Sequence, residues 1–348
     1  MGTQSKGNAV RITLVINPVA SSVTRRARVV IQKALAADHT LTVIETARKG
    51  HASRLARGSA KNGAQVVVAL GGDGTINEVA NGLLDQDCAM VPLPGGSTNV
   101  FARAVGYPND AIEATGVLLE ALAAENIKPI GVGLANDRAF LFHVGAGFDA
   151  AVVQKVEERG PLKRYIGHPL FIASTIATWL RGVDRKNPWF SIEADDGQRV
   201  EHSQLAVALN CNPYTYLGNR PLDLAPESTV HNPLSIIGLS SLALHRLMPA
   251  AIKAIRTDEG IGNGRSTTHW SNILGATITG HRPFPYQLDG EFLDPVDMLR
   301  LDHRPNAVNL VFPVGRPTDE QQPQANQKDL HPRPVNLSSN LLPDQVSR

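Results

Sequence analysis

The apolar positions of the chain change rhythm near residue 131. Before it, short β-branched runs alternate with stretches whose apolar residues recur at three- and four-residue spacing, the two periods that separate strands from helices. Val10–Ile16, Leu41–Thr46, Gln65–Leu70 and Ala89–Leu93 read as strands. Thr24–Ala37, Ser53–Lys61 and Thr75–Leu84 read as helices between them, with a further helical stretch after Asn99. The run from Gln65 to Leu70 lacks polar alternation, as expected of a strand covered on both faces. Strand–helix alternation with short connections predicts an α/β unit with a parallel sheet. Beyond residue 131 the segments shorten. Val132–Leu134, Ala139–His143, Trp189–Ala194, Arg199–Asn210, Leu234–Leu239 and Asn272–Thr279 are separated by turn residues and predict antiparallel β structure. Helical pieces are expected at 150–157, 165–180 and 241–256, a Gly-rich loop at 258–264, and closing strands at 296–301 and 308–311. The last 33 residues, from Arg316, hold five prolines, several Asn and Gln, balanced charge and almost no aromatic residues, and predict a disordered tail.

Composition narrows the class without naming a chemistry. A length of 348 residues gives a prior of about two domains. Hydrophobic residues at 42% and charged residues at 19% exclude a mostly disordered chain. No run approaches the ~18 apolar residues of a membrane span, and the N-terminus lacks the apolar core of a secretory signal. A net charge of +2 gives no reason to expect a nucleic-acid partner. Two cysteines, Cys88 and Cys211, exclude a disulfide framework and favour a reducing, cytoplasmic compartment. Eleven histidines show no metal-ligand spacing.

The chemistry concentrates in three places. Gly71-Gly72-Asp73-Gly74-Thr75-Ile76-Asn77-Glu78 sits where a buried strand meets a helix. Its glycines admit a close ligand, and the helix N-terminus that follows suits phosphate. Asp73 is placed to hold a Mg²⁺ ion bridging phosphates. The plainer reading is a tight turn in which Thr75 and Glu78 form a capping box. Pro94-Gly95-Gly96-Ser97-Thr98-Asn99 follows the next strand, so both loops fall on one sheet edge, where open α/β folds bind ligands. Neither loop is a Walker A or dinucleotide fingerprint. Far downstream, Gln287-Leu288-Asp289-Gly290-Glu291 sets two carboxylates around a glycine. This is either a hairpin turn or a source of the base that an acceptor hydroxyl needs in phosphoryl transfer. The apolar segment Ile166–Leu180, flanked by basic residues from Lys155 to Lys186, reads as a core helix or as a surface that meets lipid.

Taken in order, Asn17-Pro18, the GGDGTINE segment, PGGSTN followed by Phe101-Ala102-Arg103, and the late DGE resemble the diacylglycerol kinase catalytic-domain family over roughly residues 10–315. The resemblance implies an N-terminal α/β nucleotide-binding domain (1–131, with 296–315 returning to it), a C-terminal β-sandwich lipid-substrate domain (132–295), and an active site in the cleft between them. It implies an ATP-dependent lipid kinase that phosphorylates a free hydroxyl of diacylglycerol or a related lipid with Mg²⁺. Asn17, Pro18, Ser21, Thr46, the Gly71–Thr75 loop, Asn77, Glu78, Gly95, Gly96, Thr98 and Asn99 would bind the nucleotide. Glu291 would be the general base, with Asp289 and Asp149 as further catalytic carboxylates, Asp149 organising the metal. The enzyme would visit the inner face of the membrane transiently to reach its lipid, and a homodimer is compatible with it. Two departures stand out: the loop after Pro18 reads Val19-Ala20-Ser21-Ser22 without a glycine, and His231-Asn232-Pro233 lacks the carboxylates of the structural Mg²⁺ site of some bacterial members. The alternatives are phosphorylation of a soluble substrate in the manner of NAD kinases, and a binding module without turnover.

Overall fold

In the computed structural model, residues 9–157, 187–243 and 260–315 are described. The expected helix at 165–180, the basic side chains between 155 and 186, nearly all of the helical piece at 241–256 and the tail from 316 lie outside them.

The first half folds as its periodicity requires. Strands β1 (Arg11–Ile16), β2 (Thr40–Glu45), β3 (Val66–Gly71) and β4 (Ala89–Pro94) form a parallel layer in the order β2-β1-β3-β4. β3 and β4 are buried at every position, which is why their sequences carry no alternation. β2 is the edge and is mostly exposed. The helices α1 (Arg25–Asp38), α2 (His51–Lys61) and α3 (Asp73–Leu83) connect them, and α1 turns Ala27, Ile31 and Leu35 inward at four-residue spacing. Thr24 caps α1 through its side chain, which accepts from the Ala27 amide at 3.1 Å. After β4 come the short helix α4 (Val100–Ala104) and α5 (Ala111–Ala123), the latter capped by Asp110.

The second half is strand-rich. It runs β5 (Ile127–Ala135), β6 (Arg138–Phe140), β7 (His143–Gly147), α6 (Phe148–Glu157), β8 (Phe190–Ala194), β9 (Arg199–Ser203), β10 (Leu205–Leu209), a separate hairpin β11 (Thr215–Leu217) and β12 (Arg220–Leu222), β13 (Leu234–Leu239), β14 (Thr267–Ile273), β15 (Gly275–Leu288) and β16 (Glu291–Val311). Three expected strands are each two: 139–143 divides into β6 and β7, 199–210 into β9 and β10, and 272–279 between β14 and β15. The two expected closing strands are one, β16, of 21 residues.

β16 joins the halves. Its first part pairs antiparallel with β15, and its last part pairs with β5 and, at Asn309 and Leu310, parallel with β4. One 14-stranded mixed sheet therefore runs through the molecule. Val308, Leu310, Val311 and Phe312 belong to the apolar core around the parallel layer, whereas Leu299 and Leu301 belong to the core of the strand-rich region.

Candidate active site

The two glycine loops touch. The Gly95 amide donates to the Gly71 carbonyl at 2.8 Å, and a Cβ on Gly95 would lie 2.8 Å from the Gly71 Cα and from Val23 Cγ2. Since real Cβ atoms do not come that close, glycine is required where the loops meet. Asn17 joins them: its backbone amide donates to the Leu70 carbonyl and its side chain donates to Thr75 Oγ1 at 3.1 Å.

These loops form one wall of a cavity of about 1290 Å³. Of the residues singled out in the sequence, Asn17, Pro18, Ser21, Thr46, Gly72, Asp73, Gly74, Thr75, Glu78, Gly96 and Thr98 line it from the parallel layer. Asp289 and Glu291 line it from the far hairpin, together with His143 and Tyr214. Residues 72 and 291 thus share one cavity because the strand-rich region folds back over the sheet edge that carries the glycine loops.

Several expected nucleotide contacts do not reach the cavity. Gly71 and Gly95 serve the loop packing just described. Asn99 is 2% exposed, and its amide braces its own loop by bonding Gly96 and Asn109. Asn77 is also 2% exposed and points behind the wall, donating to the Ala139 carbonyl at 2.9 Å and to Asp289 Oδ2 at 2.8 Å. Asp149 is buried in the first turn of α6, where one oxygen accepts from the Tyr214 hydroxyl at 2.5 Å and the other from Gln287 at 2.8 Å. Burial raises its pKa against those two bonds. Asp149 does not itself line the cavity and meets it only through Tyr214, which does.

The capping-box reading of Thr75 and Glu78 is also corrected. α3 begins at Asp73 with Gly72 as its cap. Glu78 instead closes the neighbouring helix: its two oxygens accept from the Gly50 amide at 2.7 Å and the Ala52 amide at 3.0 Å. Gly50 has no side chain with which to cap α2, so the glutamate of α3 satisfies the free amides there. Asp73 does the same for α4, accepting from the Phe101 amide at 3.1 Å. Burial pushes the Asp73 carboxyl up, while the amides of Phe101 and Val100 and the nearby Arg103 pull it back.

Asp289-Gly290 is a two-residue hairpin loop with φ of 49° and 79°, the turn that an Asp-Gly pair favours. The hairpin reading is met, and the same turn brings Glu291 to the cavity. Asp289 is 6% exposed and accepts four hydrogen bonds, from the amides of Leu141 (2.7 Å), Phe142 (3.0 Å) and His143 (3.1 Å) and from Asn77. Burial pushes its pKa up to about 6 despite those donors, which leaves it ionised at neutral pH. These four bonds lock the turn.

Glu291 is the carboxylate that the turn offers to the cavity. Arg138 grips it with Nη2 at 2.5 Å from Oε2 and Nη1 at 3.4 Å from Oε1, and Lys49 Nζ also pairs with Oε1. Burial pushes the Glu291 pKa up, but the two cations outweigh it and hold the carboxyl below its ordinary value. Nearby, His143 stacks on Tyr214 with centroids 4.3 Å apart, and burial lowers its pKa to about 3, so it is a neutral imidazole at neutral pH.

Sequence reasoning passed over Lys49, Arg138 and Tyr214, and the apolar context of His143 reads as that of a core histidine. Of these only Arg138 carried a local signal, since it directly follows Asn136-Asp137, a turn pair. Among the described residues, no three of His, Cys, Asp or Glu gather closely enough to hold a metal by themselves. A Mg²⁺ ion bound with phosphates needs only one or two protein carboxylates, and Asp73, in the cavity wall, fits that requirement. No helix among the described residues is long and apolar enough to cross a membrane.

Comparison with known proteins agrees with this arrangement. Residues 11–154 match the diacylglycerol kinase catalytic domain. A protein from Enterobacter sp. described as "Probable lipid kinase YegS-like" is 32% identical over 280 residues, covering 78% of this chain and 86% of its own length. A diacylglycerol kinase of Bacillus subtilis is 32% identical over 158 residues, 44% of this chain and 48% of its own. The crystal structure of a diacylglycerol kinase from Bacillus anthracis superposes with a TM-score of 0.66 at 20% identity, covering 90% of this chain and 99% of that one, which places the fold. The chain therefore belongs to the lipid kinase family built on the diacylglycerol kinase catalytic domain, alongside its YegS-like members.

Proposed function

We propose that this kinase transfers the γ-phosphoryl group of ATP to a free hydroxyl of diacylglycerol or a closely related lipid, with Glu291 as general base. The observation that carries the reading is the placement of Glu291 in one cavity with both glycine loops. The loops and the N-terminus of α3 supply amides and a positive dipole end for phosphate. Asp73 would hold the Mg²⁺ that travels with the nucleotide and neutralises charge on its phosphates. Glu291 takes the acceptor's proton as the hydroxyl oxygen bonds the γ-phosphorus. The bond from phosphorus to the bridging oxygen breaks, and its electron pair leaves on the diphosphate of ADP. Positioning and charge neutralisation carry most of such a reaction. The lipid would be drawn from a membrane face into the cavity, so association with the bilayer is transient.

The test is transfer of label from γ-labelled ATP across diacylglycerol, monoacylglycerol, sphingosine, ceramide and phosphatidylinositol in mixed micelles, with NAD as control. Labelled phosphatidic acid is the expected main product. Labelling of NAD alone would overturn the reading in favour of a soluble acceptor. ATP binding without transfer to any of these would mark a module without turnover.

A further inference from the structure

We propose that Arg138 is the positioning residue for Glu291, fixing the plane of its carboxylate so that Oε1 faces the acceptor while Oε2 stays anchored. This rests on the reading of Glu291 as the base.

Both residues leave equivalent turns. Asn136 and Asp137, with φ of 46° and 68°, form the tip between β5 and β6, and Arg138 follows directly, opposite Ala135. Asp289 and Gly290 form the tip between β15 and β16, and Glu291 follows directly, opposite Leu288. A two-residue loop of this kind fixes the register of the strand that leaves it. Neither residue can slide along its strand without breaking its hairpin.

The two hairpins are also tied to each other and to α3. The Asn81 side chain bonds both backbone groups of Ala139, donating to its carbonyl at 3.0 Å and accepting from its amide at 3.0 Å. Asn77 donates to that same carbonyl and to Asp289. Asp289 takes the next three free amides, at 141, 142 and 143. The helix that opens with the GGDGT loop therefore sets the backbone on both sides of the Arg138–Glu291 pair. A side chain supported in this way presents its group in one orientation.

The two cations on Glu291 differ in kind. Arg138 offers a planar fork, and a fork fixes a carboxylate in orientation as well as in place. Lys49 is a point charge whose side chain is 72% exposed. The shorter arm of the fork falls on Oε2 and the longer on Oε1, the oxygen that Lys49 shares. Oε1 is the oxygen that can exchange its partner for an acceptor hydroxyl while Arg138 keeps Oε2. Among the described residues, the titratable groups near the pair include Tyr286 on β15, Asp294 on β16 and Asp289 in the turn itself.

The test compares wild type, Arg138→Ala, Arg138→Lys and Glu291→Gln, with γ-labelled ATP and diacylglycerol in mixed micelles. It adds a ¹³C NMR titration of glutamate-labelled protein, which needs no substrate. Arg138→Ala should lower kcat by about 10²-fold, the scale of a reacting group misplaced by ~1 Å, with the KM for ATP little changed. The Glu291 resonance should titrate at higher pH in that variant. Arg138→Lys should recover most of the titration shift but little of the kcat, because it restores charge without the fork. Arg138→Lys with wild-type kcat would overturn the proposal, as would a loss seen only in the KM for ATP. An unmoved Glu291 titration in Arg138→Ala would overturn it whichever lipid is phosphorylated. Full turnover in Glu291→Gln, by contrast, would strike the functional reading itself.

Discussion

Asn77 and Asp289 lie 212 positions apart in sequence and meet at 2.8 Å behind the wall of the active site. Through this bond the helix that opens with the GGDGT loop holds the turn that presents Glu291. Both side chains are buried, Asn77 at 2% and Asp289 at 6% exposed.

Replacing Asp289 tests that link. An asparagine there has one accepting oxygen in place of two and aims a donor at groups that are themselves donors. Asp289→Asn should destabilise the fold by about 2–4 kcal/mol, the scale of a buried donor left without a partner plus a lost charge-assisted bond. Urea unfolding with an unchanged m-value is the measurement. A loss below about 0.5 kcal/mol would show that the turn is held by other contacts.

Glu291→Gln keeps size and shape and removes the basic oxygen. Nucleotide binding should remain close to wild type while turnover falls by at least ~10², the usual contribution of a general base. Calorimetry for ATP and single-turnover kinetics separate the two effects. Unchanged turnover would exclude Glu291 as the base.

The pH dependence follows from the same ion pairs. The folded pKa of Glu291 is depressed, so the proton is held more weakly in the native state than in the unfolded one. The stabilisation it brings is present above the unfolded value of ~4.3 and is lost as pH falls through the folded pKa. The acid limb that Glu291 sets in kcat/KM should accordingly lie below ~4.3. A limb near pH 6 would mean that another group controls the proton.

Two glycines make a matched pair of substitutions. At Gly95 a Cβ would strike the Gly71 backbone, so Gly95→Ala should force the loops apart, raise the KM for ATP and lower stability by about 1–3 kcal/mol, as overpacking does. Gly116 lies inside α5 with open space around it, so Gly116→Ala should stabilise by about 0.5–1 kcal/mol. Thermal melts of both variants check the contrast.

The parallel layer was readable because β1 to β4 and their helices are local and their periods are undisturbed. The loops were readable because glycine at the end of a buried strand has few other uses. What the sequence did not disclose depends on distance. Asn77 and Glu78 sit beside the GGDGT loop, and nothing local distinguishes a side chain that faces a nucleotide from one that caps α2 or clamps Asp289. The partners of Asp149 were hidden for the same reason: Tyr214 and Gln287 are 65 and 138 positions away. Lys49 and Arg138 become site residues only because Glu291 arrives between them from the far end of the chain. β16 was divided in two because residues 302–306 are polar and carry a proline. The strand continues through them because β5 pairs on both sides of the irregularity between Arg304 and Val308.

That long strand has a consequence for how the protein is made. β4 receives its outer neighbour from Asn309 and Leu310, and the Tyr107 hydroxyl donates to the carbonyl of Val311 at 2.8 Å. A chain emerging from the ribosome has all four strands of the parallel layer about 200 residues before it has the piece that closes their open side. The layer must wait with an unpaired edge, or pair elsewhere in the meantime. Fragments that stop before Asn309 should inherit that exposed edge and self-associate, which makes the far end of β16, and not any linker, the place where the first third of the molecule is finished.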